Sequence, residues 1–461
     1  MIELGQNKKV QQYGSIPSDD SGPASIKLKY SSSSSWSLST ISNTCNALLG
    51  VSIFTIPWGF SQAGFIGGIL ILVVVGCVSY ETARIMLLSQ RELYKKSGEI
   101  KSYPEIAAEI LGEKWSIIVK LATIISCIGG NVGYMIFLGQ ITAQVLNCTF
   151  NTAVISLSIP LILLSWIRSF KEMTFFTLLG VIAIGISIFA IIYDSITKTS
   201  HESSVEALPL PLFLPGTIFN MLGPATFLFT IHYCILAMGE EVLRDEAHSS
   251  AIINSQNYSI FSRSLALSYF ISTLCIGLLG IMAFYFFRSS KYVLSVTGTI
   301  EPGCEDRVCQ NVILNLSAGP IKKVVEISLI ISIIFSYIII LAPAREHVEN
   351  AALRFLNPTA NTWYMICTKN VVRTFLVVIT SVIGISAPYF GSVLGTIGGL
   401  TDSLQSFVLP CLVYISMRGA LLSSASALLY RVIMAWGLCN VVITLGKLIM
   451  IISKKILEYS I

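Results

Sequence analysis

Residues 46–64 run Asn46-Ala47-Leu48-Leu49-Gly50-Val51-Ser52-Ile53-Phe54-Thr55-Ile56-Pro57-Trp58-Gly59-Phe60-Ser61-Gln62-Ala63-Gly64. The stretch is apolar enough to lie in a bilayer, yet glycine and proline interrupt it twice. In hydrocarbon the backbone groups freed by an interruption must find partners. One solution is a helix broken at the bilayer midplane: the N–H groups of its second half bind an anionic group, and unwound carbonyls bind cations. The alternative is a kinked or closely packed helix, since glycine and proline are common in membrane spans.

A second interrupted stretch lies well downstream. Pro215-Gly216 enters it, Gly223-Pro224 lies inside it, and the polar run Thr230-Ile231-His232 follows. Between and beyond the two, apolar runs near the ~20 residues that span a bilayer recur at 36–60, 65–89, 115–146, 153–168, 172–193, 213–238, 263–287, 321–343, 370–387, 391–416 and 429–452. The third is long enough to require tilt, and Arg168, Lys171 and Glu172 make the break between fourth and fifth. Interrupted spans one and six are what two five-helix inverted repeats produce. The repeats would cover 36–193 and 213–416, with 429–452 an added helix. The expectation is an all-α membrane protein of about eleven transmembrane helices.

Composition agrees. Of 461 residues, 54% are hydrophobic and 12% charged, against about 25% charge in a soluble domain. The net charge of +5 carries no argument for nucleic acid. Most of the 30 Lys and Arg fall in the N-terminal tail and in the loops after even-numbered spans, which puts the N-terminus in the cytosol. Residues 1–35, with a serine run from Ser31 to Ser35, read as a disordered tail without a secretory signal pattern. Within it, Tyr13-Gly14-Ser15-Ile16 fits a tyrosine-based sorting signal, a pattern short enough to arise by chance. Most of the 11 cysteines lie inside apolar spans, where they act as small hydrophobes. Cys304 and Cys309 lie in the polar loop from Arg288 to Pro320, and sequence leaves open whether they pair. That loop holds the glycosylation sequon Asn315-Leu316-Ser317; a second, Asn147-Cys148-Thr149, sits in a short turn on the same side. No phosphate-cradling glycine motif occurs, so neither an ATP-driven pump nor an enzyme is indicated.

The first span closely resembles that of the amino acid/auxin permease family, which opens with Asn-Ala-x-x-Gly-x-x-Ile-x-x-x-Pro and a following Ala-Gly: here Asn46, Ala47, Gly50, Ile53, Pro57, Ala63 and Gly64. Trp58 is similar to the lysosomal branch of the sodium-coupled neutral amino acid transporters. Ser102-Tyr103-Pro104-Glu105-Ile106, Gly133-Tyr134, His232 with Glu240-Glu241, Pro343-x-Arg345 closing span eight, and Pro388, Gly395, Gly398, Pro410 and Tyr414 continue the resemblance over about residues 36–452. The resemblance implies the broken-helix (LeuT-like) fold and an amino acid ligand. It implies a carboxylate on the backbone of Gly50, Val51 and Ser52, an amino group at carbonyls near Asn46, Phe229 and Thr230, and Tyr134 and His232 beside them. No cofactor is implied beyond sodium or a proton as coupling ion.

In sodium-coupled relatives a threonine nine residues before the span-eight proline helps hold sodium. That position here is Ile334, with Ser332 and Ser336 nearby as hydroxyl donors suited to a hard cation, or as serines bonded back to their own helix. Asp402 falls near the middle of span ten, where a charge costs at least ~2.5 kcal/mol. It therefore faces a cavity or partner, as a proton-coupling group or gate, or serves as a bonded packing residue. Glu81 pairs with Arg84 or takes part in function. His232 titrates or is a bonded core histidine. Three functions compete: a secondary active amino acid transporter on a lysosomal, vacuolar or plasma membrane; a sensor signalling through a partner protein at the tail; and a channel, whose rings of charge or carbonyls the sequence lacks.

The predicted topology has a direct check. In a cysteine-free background, an impermeant thiol reagent is expected to label Ser18→Cys from one side of the membrane only and Ser295→Cys from the other only. Labelling of both from one side refutes the topology.

Overall fold

The computed structural model describes residues 37–167, 173–201, 209–247, 251–288, 293, 298, 300–355 and 362–459. The tail 1–35 with Tyr13-Gly14-Ser15-Ile16, the break at Arg168, Lys171 and Glu172, and most of 289–299 lie outside them. The first segment is two helices, α1 (Leu38–Leu48) and α2 (Ile56–Ala63), separated by a 3-10 turn over Val51–Thr55. Pro57 lies in the first turn of α2, where a missing N–H removes no helical bond. Segments two to five follow as α3 (Phe65–Ser97), α5 (Glu113–Leu146), α6 (Phe150–Ser165) and α7 (Met173–His201), with a short α4 (Tyr103–Leu111) before the third. The sixth segment is again broken, into α8 (Phe219–Phe229) and α9 (His232–Ala247). Then come α10 (Ala251–Phe287), α11 (Pro320–Phe355) and α12 (Thr362–Ser386). The tenth segment joins α13 (Phe390–Ile397) through two π-helical stretches, Gly398–Asp402 and Leu404–Val408, to α14 (Leu409–Arg418), and α15 (Ser424–Tyr459) is the eleventh.

Among the described residues eight helices are long and apolar enough to cross a membrane, and Phe150–Ser165 and Ile182–Asp194 are shorter apolar helices. With the interrupted first segment these make eleven. The helices run past the apolar stretches at several ends. The two largest departures, of twelve residues each, are the start of α10 at Ala251 and the end of segment eight: α11 continues through Pro343, expected to close it, to Phe355. The apolar run stops there, but the continuation is held by charge. Glu349 takes a 2.6 Å bond from Arg373 of α12 and lies 3.8 Å from Arg345, all three buried. Arg373 also donates to the carbonyls of Ser165, Trp166 and Ile167 at the end of α6. These contacts offset the one backbone bond that an interior proline removes.

Segment three is the core of the bundle, with 78% of its apolar window buried; segment eleven, with 17%, is peripheral. The tightest contact is between α8 and segment ten. A Cβ on Gly223 would fall 2.1 Å from the Gly395 carbonyl oxygen, and one on Gly398 would fall 1.9 Å from that of Gly223. Only glycine lets the two backbones approach this closely.

The loop before α11 packs onto the bundle end. Cys304 and Cys309 form a disulfide, and Val312, Ile313 and Leu314 are buried. Asn315 is buried too. Its Oδ1 accepts from the Cys309 N–H at 2.9 Å and its Nδ2 donates to the Arg307 carbonyl at 2.8 Å. This sequon therefore has no room for a glycan, whereas Asn147, exposed with φ 52° at the end of α5, has an accessible side chain.

Helix α4 starts with a capping box. The Ser102 backbone N–H and hydroxyl both donate to Glu105, at 2.8 and 2.7 Å. These bonds hold the Glu105 carboxyl below the usual carboxylate range, the Ser102 hydroxyl contributing most. A depressed carboxylate stabilises the fold above its unfolded pKa, and that contribution is lost as pH falls through the folded value. Ser102→Ala is expected to cost α4 about 1 kcal/mol, read as faster amide exchange over Tyr103–Leu111. The difference from wild type should shrink in acid; equal exchange at neutral pH would show that the box does not hold the helix.

Candidate functional site

At the first break the helix stops at Leu49, whose N–H still reaches the Cys45 carbonyl. Gly50 is extended (φ −79°, ψ −175°), and the chain turns into the 3-10 stretch. Among the described residues the Gly50 and Ser52 N–H groups meet no backbone or side-chain acceptor. The Val51 N–H reaches the Tyr134 hydroxyl of α5. A Cβ placed on Gly50 would lie 3.6 Å from that hydroxyl and 3.9 Å from the Ser52 Oγ. Tyr134 and Ser52 are buried, while Asn46 and Gly50 are half-buried. Three adjacent N–H groups open a new helical stretch, two of them without an acceptor among the described residues and a buried phenol opposite, an arrangement of the kind that suits an anion.

At the second break Thr230 and Ile231 leave the helix. Their N–H groups bond back to Phe227 and Phe229 carbonyls at 3.2 and 3.1 Å. Phe229 is fully buried and stacks on Tyr269. The Thr230 side chain donates to the Thr226 carbonyl and shares a 2.8 Å bond with Ser406 of segment ten. His232 is buried against segment two, its Nε2 3.0 Å from the Thr82 hydroxyl oxygen. The Thr82 hydroxyl also lies within bonding distance of the Val78 and Ser79 carbonyls, and the His232 Nδ1 has no partner among the described residues. His232 thus belongs to the interface with α3; the next residue, half-buried Tyr233, is the one within electrostatic range of both Tyr134 and Asp402.

Asp402 ends the first π stretch and is 1% exposed. One carboxylate oxygen accepts from Ser126 of α5 at 2.5 Å and from Thr401 at 3.4 Å. The other is buried with no partner among the described residues. Ser332 and Ser336 lie elsewhere. Both approach Gly180 of α7, and Ser336 donates to the Ser332 carbonyl at 3.0 Å. Segment eight packs mainly on segments three and five, so the structure brings Asp402 to the central helices and seats the serine pair between segments five and eight. Glu81 is held by a two-toothed bond from Arg84 and by the Tyr430 hydroxyl. Sequence reading missed Tyr233, Ser406 and Ser126. The only signal for them was adjacency: Tyr233 follows the Thr230-Ile231-His232 run, and Ser126 lies two turns before Tyr134.

The two ends of this region differ. Toward the disulfide loop, Asp306 accepts from Trp58 Nε1 at 3.2 Å and from Gln62 at 2.7 Å. Gln62 accepts from Asn220, which in turn accepts from Lys447. Gln140 binds Asn311 and the Pro302 and Pro388 carbonyls, and Gln310 binds Ser392. Residues 51–60 are buried without exception beneath this layer. On the opposite side Ala47 and Ala237 are exposed, and Asn46, Tyr233 and Cys234 are half-buried.

Known proteins match this arrangement. A mutant of the Eremococcus coleocola manganese transporter superposes over 91% of this chain and 97% of its own, with a TM-score of 0.51 and 11% identity. That likeness shows the fold alone, the all-α broken-helix (LeuT-like) transporter fold expected from the sequence. Amino acid transporter AVT3C of Arabidopsis thaliana is 24% identical over 406 residues, 82% of each chain. Vacuolar amino acid transporter 2 of Saccharomyces cerevisiae is 23% identical over 268 residues, 53% of this chain and 51% of its own. Residues 32–456 match the family described as transmembrane amino acid transporter protein. With two interrupted helices, the first presenting N–H groups that meet no acceptor among the described residues, and nearly its whole length matched, this multi-pass membrane chain belongs to the transmembrane amino acid transporter family.

Proposed function

We propose that the protein carries amino acids across a membrane as a secondary active transporter, by alternating access coupled to an ion, with a proton favoured over sodium. The observation that carries the reading is the row of N–H groups at Gly50, Val51 and Ser52, facing Tyr134. A zwitterion needs donors and acceptors a few ångströms apart, and two broken helices supply both without a fixed side-chain charge. The carboxylate takes the donors; the amino group takes carbonyls near Asn46, Phe229 and Thr230. Inverted repeats over 36–193 and 213–416 would place these breaks in corresponding positions, with 429–452 outside the pair. The layer built on Asp306 covers residues 51–60 on one side, while Asn46 and Tyr233 on the other are only half-buried, an asymmetry that fits one end state of an alternating cycle. Asp402 is favoured as the coupling group because it has an unpartnered oxygen beside the central helices, whereas Ser336 is bonded to its own helix. The yeast relative's name and the excess of basic residues on the tail side favour a vacuolar or lysosomal membrane with the N-terminus in the cytosol.

The test is uptake of a panel of labelled amino acids by purified protein in liposomes, with imposed pH or sodium gradients. Accumulation of at least one neutral amino acid, faster under a pH gradient, is expected. Binding without any flux across the whole panel would overturn transport and favour the sensor reading.

A further inference from the structure

Segment eleven stands outside the paired repeats and is mostly turned to lipid, yet it carries one buried amide deep in its apolar run. Asn440 is 3% exposed, while Leu438, Val442 and Leu445 around it are exposed. A polar side chain in such a helix is costly unless bonded, and it tends to mark function. The Asn440 Nδ2 donates to the Ser403 hydroxyl oxygen at 2.6 Å. Ser403 in turn donates at 2.9 Å to the Gly398 carbonyl, five residues back. That carbonyl opens the π stretch Gly398–Asp402, and the Ser403 backbone N–H also bonds it. The chain Asn440–Ser403–Gly398 therefore ties together the two ends of the widened turn, and Asp402 is its last residue.

Segment eleven reaches this turn closely on both sides. A Cβ on Gly399 would fall 2.0 Å from the Thr444 hydroxyl, and one on Gly437 would fall 2.8 Å from the Phe407 Cβ. Trp436 packs on Phe407. A π turn holds one residue more than an α turn, and such bulges recur at functional sites. If it relaxed to α-helix, the residues at its end would rotate about the axis, and Asp402 would leave Ser126. The second π stretch is held in the same manner: the Gln405 carbonyl accepts from Tyr103 of α4 at 2.5 Å, and its side chain accepts from Thr123 at 3.0 Å.

We propose that segment eleven is a working part of the coupling site, with Asn440 the positioning residue that holds the widened turn of segment ten and so keeps Asp402 facing segment three. The inference rests on the reading of Asp402 as the coupling group. Among the described residues the titratable groups within electrostatic range of Asp402 are Cys127 of segment three and Tyr233 of segment six; segment eleven meets the turn through Asn440, which does not titrate.

The test uses the full chain in liposomes and compares Asn440→Leu, Ser403→Ala, their double variant and Asp402→Asn. Leucine keeps the branched four-atom skeleton of asparagine, with bulkier ends, and removes the bond; Ser403→Ala removes the same bond from its other end without added bulk, if the leucine variant does not fold. Substrate affinity is expected to stay near wild type in both single variants, while the acceleration of uptake by a pH gradient falls about tenfold, the scale of one lost interhelical bond. The double variant should be no worse than either single one, since both act through one contact, and Asn440→Leu should add nothing in the Asp402→Asn background. A purely structural role would lower thermal stability and leave the pH response intact. If Asp402→Asn flattens the response while Asn440→Leu and Ser403→Ala keep it, the inference is overturned. If Asp402→Asn itself keeps the response, the coupling reading beneath it has failed.

Discussion

Gly50→Leu is expected to abolish uptake while the protein still inserts and folds. Gly50 has a φ of −79°, a value open to any residue, so the substitution strains no backbone. A Cβ alone also fits, 3.6 Å from the Tyr134 hydroxyl, and Gly50→Ala should retain most of the activity. The remaining leucine carbons extend from a Cβ already in contact with the Tyr134 hydroxyl and the Ser52 Oγ, and so crowd the N–H groups that would hold the substrate carboxylate. Leucine also favours helix over glycine by about 0.8 kcal/mol, which pulls the break toward a continuous helix. A hydrogen bond to a charged group contributes about 1.5–3 kcal/mol, so losing two of them lowers affinity by roughly a hundredfold or more. Uptake and radioligand binding by the wild type, Gly50→Ala and Gly50→Leu check this. Wild-type uptake by Gly50→Leu removes the backbone site; equal loss in Gly50→Ala says that something other than bulk is at work.

The first break was legible because glycine and proline are costly inside a bilayer, so a stretch that carries several of them declares an interruption. Gly50 and Pro57 fall where the helix stops and restarts. The second break was marked less by Gly223-Pro224, which lies inside α8, than by the polar Thr230-Ile231-His232 run. Gly223 answers to a different demand, the approach of segment ten. Side-chain direction was not legible. Nothing in the order of residues distinguishes His232, turned to Thr82, from Tyr233, which lies within electrostatic range of Tyr134 and Asp402; a helix in a bundle has a buried partner on nearly every side. The serine pair illustrates the same point, since hydroxyls of suitable chemistry at suitable spacing settle against Gly180. The widened turns of segment ten were also out of reach. A π bulge is a one-residue excess, resolved by long-range bonds such as Asn440 to Ser403, and local pattern does not encode it. Asn315 shows the limit of motif reading: its sequon is intact, but both polar ends of its side chain are used inside the disulfide loop.

Asp402→Asn is expected to remove the pH-driven component of transport. With one proton moved per cycle, each pH unit across the membrane is worth about 1.4 kcal/mol, or about tenfold in accumulation. A gradient of about two units therefore supports up to about a hundredfold accumulation in wild type, and the variant should fall toward equal concentrations inside and out. Asparagine keeps the shape of the side chain and can still accept the Ser126 proton, seen at 2.5 Å, so substrate binding at the breaks should survive. What it cannot do is take up and release a proton at the oxygen that has no partner. The competing view puts sodium at Ser332 and Ser336, and there the double alanine variant should lose a sodium-dependent flux while Asp402→Asn behaves as wild type. Liposomes separate the two, because each gradient can be imposed alone. If sodium alone drives accumulation and Asp402→Asn keeps the wild-type pH response, the proton reading is wrong. The coupling ion then has to be sought between segments five and eight, where the serines face Gly180.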